Sequence, residues 1–210
     1  MFDFARSPVP VRDNLKRAYR NIWAHLAQPG PVLDASHRKV LLDAARTGRS
    51  DETPPTGIAP PALELLATTL YTNPAAVSET TVRDAADEAS DAAVAETVGL
   101  VAMLSAVDGA HRVLGVELEA LPNPAPGSPT GRIAQGLKRR RTHIPMPSGA
   151  IPRALDLVPE VATVWRNSFG AQYMTESEMA LHDFRRVPGL DRAQMELVSS
   201  RTSLINECFY

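Results

Sequence analysis

The chain has 210 residues, 44% of them hydrophobic, and its 22 Lys and Arg against 24 Asp and Glu leave a formal charge of -2. That balance supports one or two modest apolar cores and gives no global electrostatic bias, so nothing marks it as a nucleic-acid binder. No stretch approaches the roughly 20 consecutive apolar residues of a membrane span, "MFDFARSPVP" lacks the layout of a secretory signal, and Cys208, the single cysteine, cannot close an internal disulfide; the expectation is a cytoplasmic protein with no membrane partner.

Taken in chain order, nearly every periodic segment has helical spacing. Leu15, Tyr19, Ile22 and Leu26 recur at four, three and four residues, which predicts a helix ending near Gly30 that packs by one stripe. Asp34 is placed to cap a second helix to about Thr47, after which "GRSDETPPTGIAPP" breaks the periodicity. Pro60 or Pro61 suits the first turn of a helix through Tyr71, and Ser78 can cap another through about Ala89. From Asp91 to Leu114 two adjoining stripes, Val94, Val98 and Val101 beside Leu100, Leu104 and Val107, predict a helix buried on most sides. The run "LPNPAPGSPTG", Leu121 to Gly131, propagates neither helix nor sheet, because proline removes donors and fixes the backbone. Pro159 can then open a helix with Ala162, Trp165 and Phe169 on one face. A last helix from Asp191 carries Met195, Val198, Thr202 and Ile205, with Asp191 and Gln194 at capping-box spacing. No strand has a stronger claim than a helix, so the fold class is all-α with a break around residues 121 to 150.

Other motifs carry little. His25, His37, His111, His143 and His182 show no paired spacing, so neither a metal nor a cofactor is expected. "KRRR", Lys138 to Arg141, is a solvated linker segment, since net charge is negative and no recognition fold accompanies it. Asp108 and His111, three apart, can form a local helix-end pair. A short internal echo links "VLLDAART", Val40 to Thr47, with "MELVSSRT", Met195 to Thr202, each following a tryptophan-bearing helix with Trp23 or Trp165.

The run "LDRAQMELVSSRTSLINECFY" resembles the carboxymuconolactone decarboxylase and alkylhydroperoxidase D (AhpD)-like family, whose redox members carry a glutamate, a cysteine twelve residues on that opens a C-x-x-C, and a nearby histidine. Glu196 and Cys208 stand at that interval. Upstream, "IPRALDLVPEVATVWRNSF" is similar to the helix before the motif, and "AETVGLVAMLSAVDGAHRVLGV" to the helix that closes a repeat. The resemblance implies two AhpD-like helical repeats: residues 1-120 a degenerate half without cysteine, 121-150 a Pro/Gly/Arg-rich linker, and 151-210 the incomplete start of the second half. It further implies a peroxidase-related thiol or selenol antioxidant protein, an oxidoreductase with Cys208 as attacking sulfur and Glu196 as proton relay. A peroxide substrate, a thiol reductant and a homo-oligomer follow from it. The alternative is a noncatalytic helical module of the same fold, serving oligomerisation or binding.

The family pattern sets the second cysteine just past Tyr210, so the expectation is a chain truncated inside its motif and impaired in this form. A UGA codon for selenocysteine read as stop would end the frame there, as would a frameshift, a nonsense mutation or an assembly edge. Glu207 and the Tyr210 carboxylate disfavour a thiolate at Cys208 by like-charge repulsion, which predicts a sluggish thiol. On residue pattern alone Glu196 is a solvated helical carboxylate near Arg201, and Cys208 a small buried hydrophobe. Along one straight helix the two would stand about 18 Å apart at ~1.5 Å per residue, so proton exchange requires the chain to turn back near Asn206.

Overall fold

Local capping chemistry starts most of the helices. Asp34 accepts the His37 amide at 2.8 Å, Ser78 that of Thr81 at 3.1 Å and Ser90 that of Ala93 at 3.1 Å, while Pro61 and Pro159 occupy first turns whose amides need no helical partner. The computed structural model describes residues 2–48, 57–148, 153–186, 189–205 and 207. Among them the chain is all-α, with no strand: α1 Asp13–Ala27, α2 Ala35–Thr47, α3 Pro61–Thr72, α4 Glu79–Glu88, α5 Asp91–Val113, α6 Pro159–Gln172, α7 Glu176–Met179 and α8 Arg192–Ile205. A single 3-10 turn, Pro74–Ala76, and the four-residue α7 are additions to what the periodicity predicts.

α5 is the axis of the fold. Fourteen of its 23 residues are buried, as two adjoining apolar stripes require, and α1, α2, α3, α4 and α6 all pack on it. By length and composition α5 could cross a membrane, yet 72% of its most apolar window is covered by the rest of the fold. α2 and α3 form a close pair, and α6 lies on both α1 and α5. At that last crossing Gly99 is obligatory, because a Cβ there would meet Val161 Cγ1 at 2.3 Å. Tyr19, Ile22, Trp23 and Leu26 give α1 the predicted buried stripe, with Leu15 partly buried beside them.

The stretch 121 to 150 has no helix among its described residues and is laid along the body. The amide of Ala125 donates to the Ala27 carbonyl at 2.8 Å, that of Thr130 to Gly30 at 2.8 Å and that of Ala134 to Leu157 at 3.0 Å. Just before it, Trp23 Nε1 donates to the Ala120 carbonyl at 2.9 Å. Ile133, Leu137 and Ile144 rest against the core. Lys138 forms an isolated bridge with Met146, and Arg139 pairs with Asp91.

Two charges are sunk into this apolar frame together. Arg38 on α2 and Glu96 on α5 are both fully buried, and Arg38 Nε donates to Glu96 Oε1 at 2.7 Å. Glu96 Oε2 also accepts the amides of Val32 and Leu33, at 2.8 and 3.2 Å. Arg38 Nη1 donates to the carbonyls of His25 and Gln28, at 2.9 and 3.0 Å, reinforcing the end of α1, where the Gln28 amide also reaches the His25 carbonyl. Gly30 passes so close that a Cβ would lie 1.9 Å from Arg38 Nη2 and 2.0 Å from Glu96 Oε1. Removing one partner of such a pair strands the other charge. Glu96→Gln is therefore expected to lower stability by about 3 kcal/mol or more in urea unfolding.

His25 belongs to the same region. Burial first, and the neighbouring Arg38 cation second, hold its pKa down to about 4 against an ordinary 6.5, and its Nε2 is buried without a partner. The unfolded chain takes up this proton before the folded one, so stability is complete above about pH 6.5 and falls as pH drops towards 4. Unfolding midpoints measured across that window should show the loss, and His25→Gln should flatten it.

Candidate functional site

α8 begins as its sequence predicts. The Asp191 amide donates to Gln194 Oε1 at 3.0 Å, and the Gln194 amide to Asp191 Oδ1 at 2.9 Å, a reciprocal cap. Arg192 fixes the start further, donating to the carbonyls of Met179, the last residue of α7, and Leu181 just past it. The face turned to the body differs from the predicted stripe. Arg192, Met195, Glu196, Ser199 and Ser203 are its covered or half-covered residues, and only Met195 among the described ones is fully buried. Val198 and Ile205, expected inside, are 58% and 65% exposed, and Thr202 is exposed too. The polar anchors at the start of the helix set its rotation, and they favour the polar side.

Glu196 lies on that anchored side with its side chain 47% exposed. Tyr173, just past the end of α6, donates its hydroxyl to Glu196 Oε2 at 2.7 Å, and Arg192 Nη2 stands 3.5 Å from Oε1. The cation beside Glu196 is therefore Arg192, one turn earlier, rather than Arg201. Burial, then the hydrogen bond to the Glu196 carboxylate, push the Tyr173 pKa up to about 12, so the phenol keeps its proton and acts as donor. Tyr173 is itself held: Arg186 donates to its carbonyl and pairs with Glu178 at 3.5 Å, and Glu178 closes the capping box of α7 with Thr175. Its ring ends a ladder of Trp165, Phe169 and Tyr173 at centroid spacings of 5.3 and 5.4 Å. The carboxylate that results is oriented from one side and open on the other, so it can take or give a proton to a group arriving from solvent.

Cys208, with Asn206, Phe209 and Tyr210, lies outside the described residues. α8 ends at Ile205, the Glu207 amide reaches back to the Leu204 carbonyl at 3.2 Å, and Glu207 takes φ +51 in the left-handed region. Glu207 is therefore not helical. The predicted turn at Asn206 itself falls outside the described residues.

A second polar cluster is closed. Asp108, fully buried on α5, accepts from Arg46 Nε and Nη2 at 2.8 and 2.6 Å and from the Tyr71 hydroxyl at 2.6 Å. Arg112 in turn donates to Tyr71 at 2.6 Å. The expected pairing of Asp108 with His111 does not form; His111 Nδ1 meets the Val107 carbonyl at 2.8 Å, and its ring packs on Phe2 and Phe4. The reason is reach: Arg46 crosses from α2 with two donors and satisfies both carboxylate oxygens. Among the described residues no group of three or more His, Cys, Asp or Glu could hold a metal ion.

Sequence spacing could have found Arg192, four residues before Glu196 on a helix. Tyr173 is 23 residues away and left no such signal. Comparisons with protein-family models, with curated proteins and with solved structures gave no match.

The hydroxyl bond has a spectroscopic consequence. The phenolate absorbance of the wild-type chain minus that of Tyr173→Phe should stay flat through about pH 10, where a free tyrosine is half ionised, and rise only towards about 12. Because the unfolded tyrosine loses its proton first, the Tyr173 contribution to stability is present below about pH 10 and lost between there and 12.

Proposed function

We propose that this chain is a thiol-dependent peroxide-reactive protein of the AhpD-like type, with Cys208 as nucleophile and Glu196 as proton carrier. The observation that carries this reading is the half-open Glu196 carboxylate, oriented by Tyr173 and Arg192 and standing twelve positions before the chain's single sulfhydryl. The all-helical fold and the resemblance of the last twenty-one residues support it.

In the proposed step the Cys208 thiolate attacks one peroxide oxygen. The O–O bond breaks, sulfur is oxidised to sulfenic acid, and the departing alkoxide leaves as an alcohol after taking a proton. Glu196 receives the thiol proton and hands it to that alkoxide. A low-molecular-weight thiol then displaces water to form a mixed disulfide, and a second thiol frees Cys208 with release of the reductant disulfide. In this two-thiol route the external reductant supplies both electrons.

Stoichiometric hydrogen peroxide followed by dimedone trapping and peptide mass spectrometry tests the reading. The adduct should form at Cys208, slowly because Glu207 disfavours the thiolate, be absent from Cys208→Ser, and form roughly 10²-fold more slowly still in Glu196→Gln. No adduct at Cys208, or one that forms equally fast in Glu196→Gln, would remove the redox reading.

The second reading, a noncatalytic helical docking module, is favoured by one observation. The outward side of α8 presents Leu197 at 71% and Leu204 at 66% exposure. An inert thiol together with a functional α8 face would leave that reading in place.

A further inference from the structure

The segment before α1 contains two residues that are strained and deeply buried at once. Phe2 and Phe4 both take φ +54, in the left-handed region that bulky side chains rarely enter, yet they are only 1% and 8% exposed. Strain of this kind persists only where the surroundings impose it. Here the rings impose it. Phe2 packs edge-on against Trp23 at a centroid distance of 5.3 Å and tilted against Tyr19 at 6.2 Å, and Phe4 lies 4.8 Å from the His111 ring and 6.1 Å from Tyr19. The rest of the segment stays outside: Asp3, Ala5 and Arg6 are exposed, and residues 2–12 belong to no helix. The body holds the backbone at Phe2, whose amide donates to the Glu119 carboxylate and whose carbonyl accepts from Arg20 Nη2 at 3.2 Å. The other hydrogen bonds of residues 3–9 are local, among them the Ala5 amide to Asp3 and the Ser7 amide to the Phe4 carbonyl. Beside Phe4 a hollow of about 310 Å³, bounded by Asp3, Phe4, Arg6, His111 and Glu119, leaves one side of the segment unpacked.

We propose that residues 2–6 are a releasable strap, an internal ligand whose two rings fill a cleft of Tyr19, Trp23 and His111, and that the cleft freed of it takes another segment of the form aromatic-x-aromatic. The seated segment defines that ligand: two rings two residues apart, with one amide on the Glu119 carboxylate and one carbonyl on Arg20. The cleft outlasts the strap because its walls are held from elsewhere. Trp23 Nε1 donates to the Ala120 carbonyl at 2.9 Å, and His111 Nδ1 meets the Val107 carbonyl at 2.8 Å. Two opposing effects set the balance. Burial of the rings favours the closed strap, whereas the left-handed backbone at both phenylalanines and the ordering of a locally bonded segment oppose it. A segment not joined to α1 can bring its rings in from an extended backbone, which avoids that strain, so it competes for the same cleft. The inference is independent of Cys208, Glu196 and α8.

Trp23 reports on the strap, and Trp165→Phe leaves it the only tryptophan of the full chain. In that background acrylamide should quench Trp23 weakly, and adding Phe2→Ala with Phe4→Ala should raise the quenching several-fold with unchanged helical circular dichroism. The folding equilibrium in urea should fall by less than about 10²-fold, because strain is released as burial is lost, whereas two phenylalanines of a rigid core would cost more than about 10⁴-fold. Millimolar acetyl-MFDFAR-amide should restore the protection of Trp23 in the double alanine variant, and the same peptide with alanine at both phenylalanines should not. A double variant that unfolds, suffers the larger loss, or leaves Trp23 as protected as before would overturn the strap. Failure of the phenylalanine peptide to restore protection would overturn the cleft as a binding site.

Discussion

Glu96 carries a buried negative charge into the second turn of α5, the helix on which α1, α2, α3, α4 and α6 pack, and the arrangement around α5 follows from how that charge is met. Arg38 reaches it from α2, two loop amides cap it, and the same guanidinium reinforces the end of α1. Three segments that hydrophobic contact alone would let slide are thereby held in one relative position, since a buried ion pair tolerates little displacement before desolvation outweighs attraction. The consequences run outward. α1 in its fixed place is the platform for α6, Gly99 lets α6 settle onto α5, and the end of α6 presents Tyr173 to α8. The orientation of Glu196 is thus linked to Arg38 through the end of α1, the packing of α6 on α1, and Tyr173.

What the sequence makes legible is local. Asp34, Ser78, Pro159 and the Asp191/Gln194 pair announce helix starts because a cap and its amide lie three residues apart, and the double stripe of α5 announces burial on most sides. The ion pairs are not local. Arg38 and Glu96 are 58 residues apart and Arg46 and Asp108 are 62 apart, so no window contains both partners. A signal was nonetheless present: Glu96 and Asp108 interrupt an otherwise apolar helix, and a carboxylate there must find a cation. Which arginine supplies it depends on the fold. The face of α8 was illegible for a related reason, because spacing defines a stripe while Tyr173 and the carbonyls of Met179 and Leu181 decide which stripe turns inward.

The two carboxylate clusters differ in the property that matters for chemistry. Asp108 is fully buried and receives three strong donors, which uses its acceptor capacity and leaves no approach for a further molecule. Its role is to join α2, α3 and α5. Glu196 receives one strong donor and one more distant cation, and keeps a solvent-facing edge. A carboxylate so placed can exchange protons with something outside the protein, whereas an equally polar but enclosed one cannot. Partial satisfaction, rather than polarity itself, separates a carboxylate still open to solvent from a structural joint.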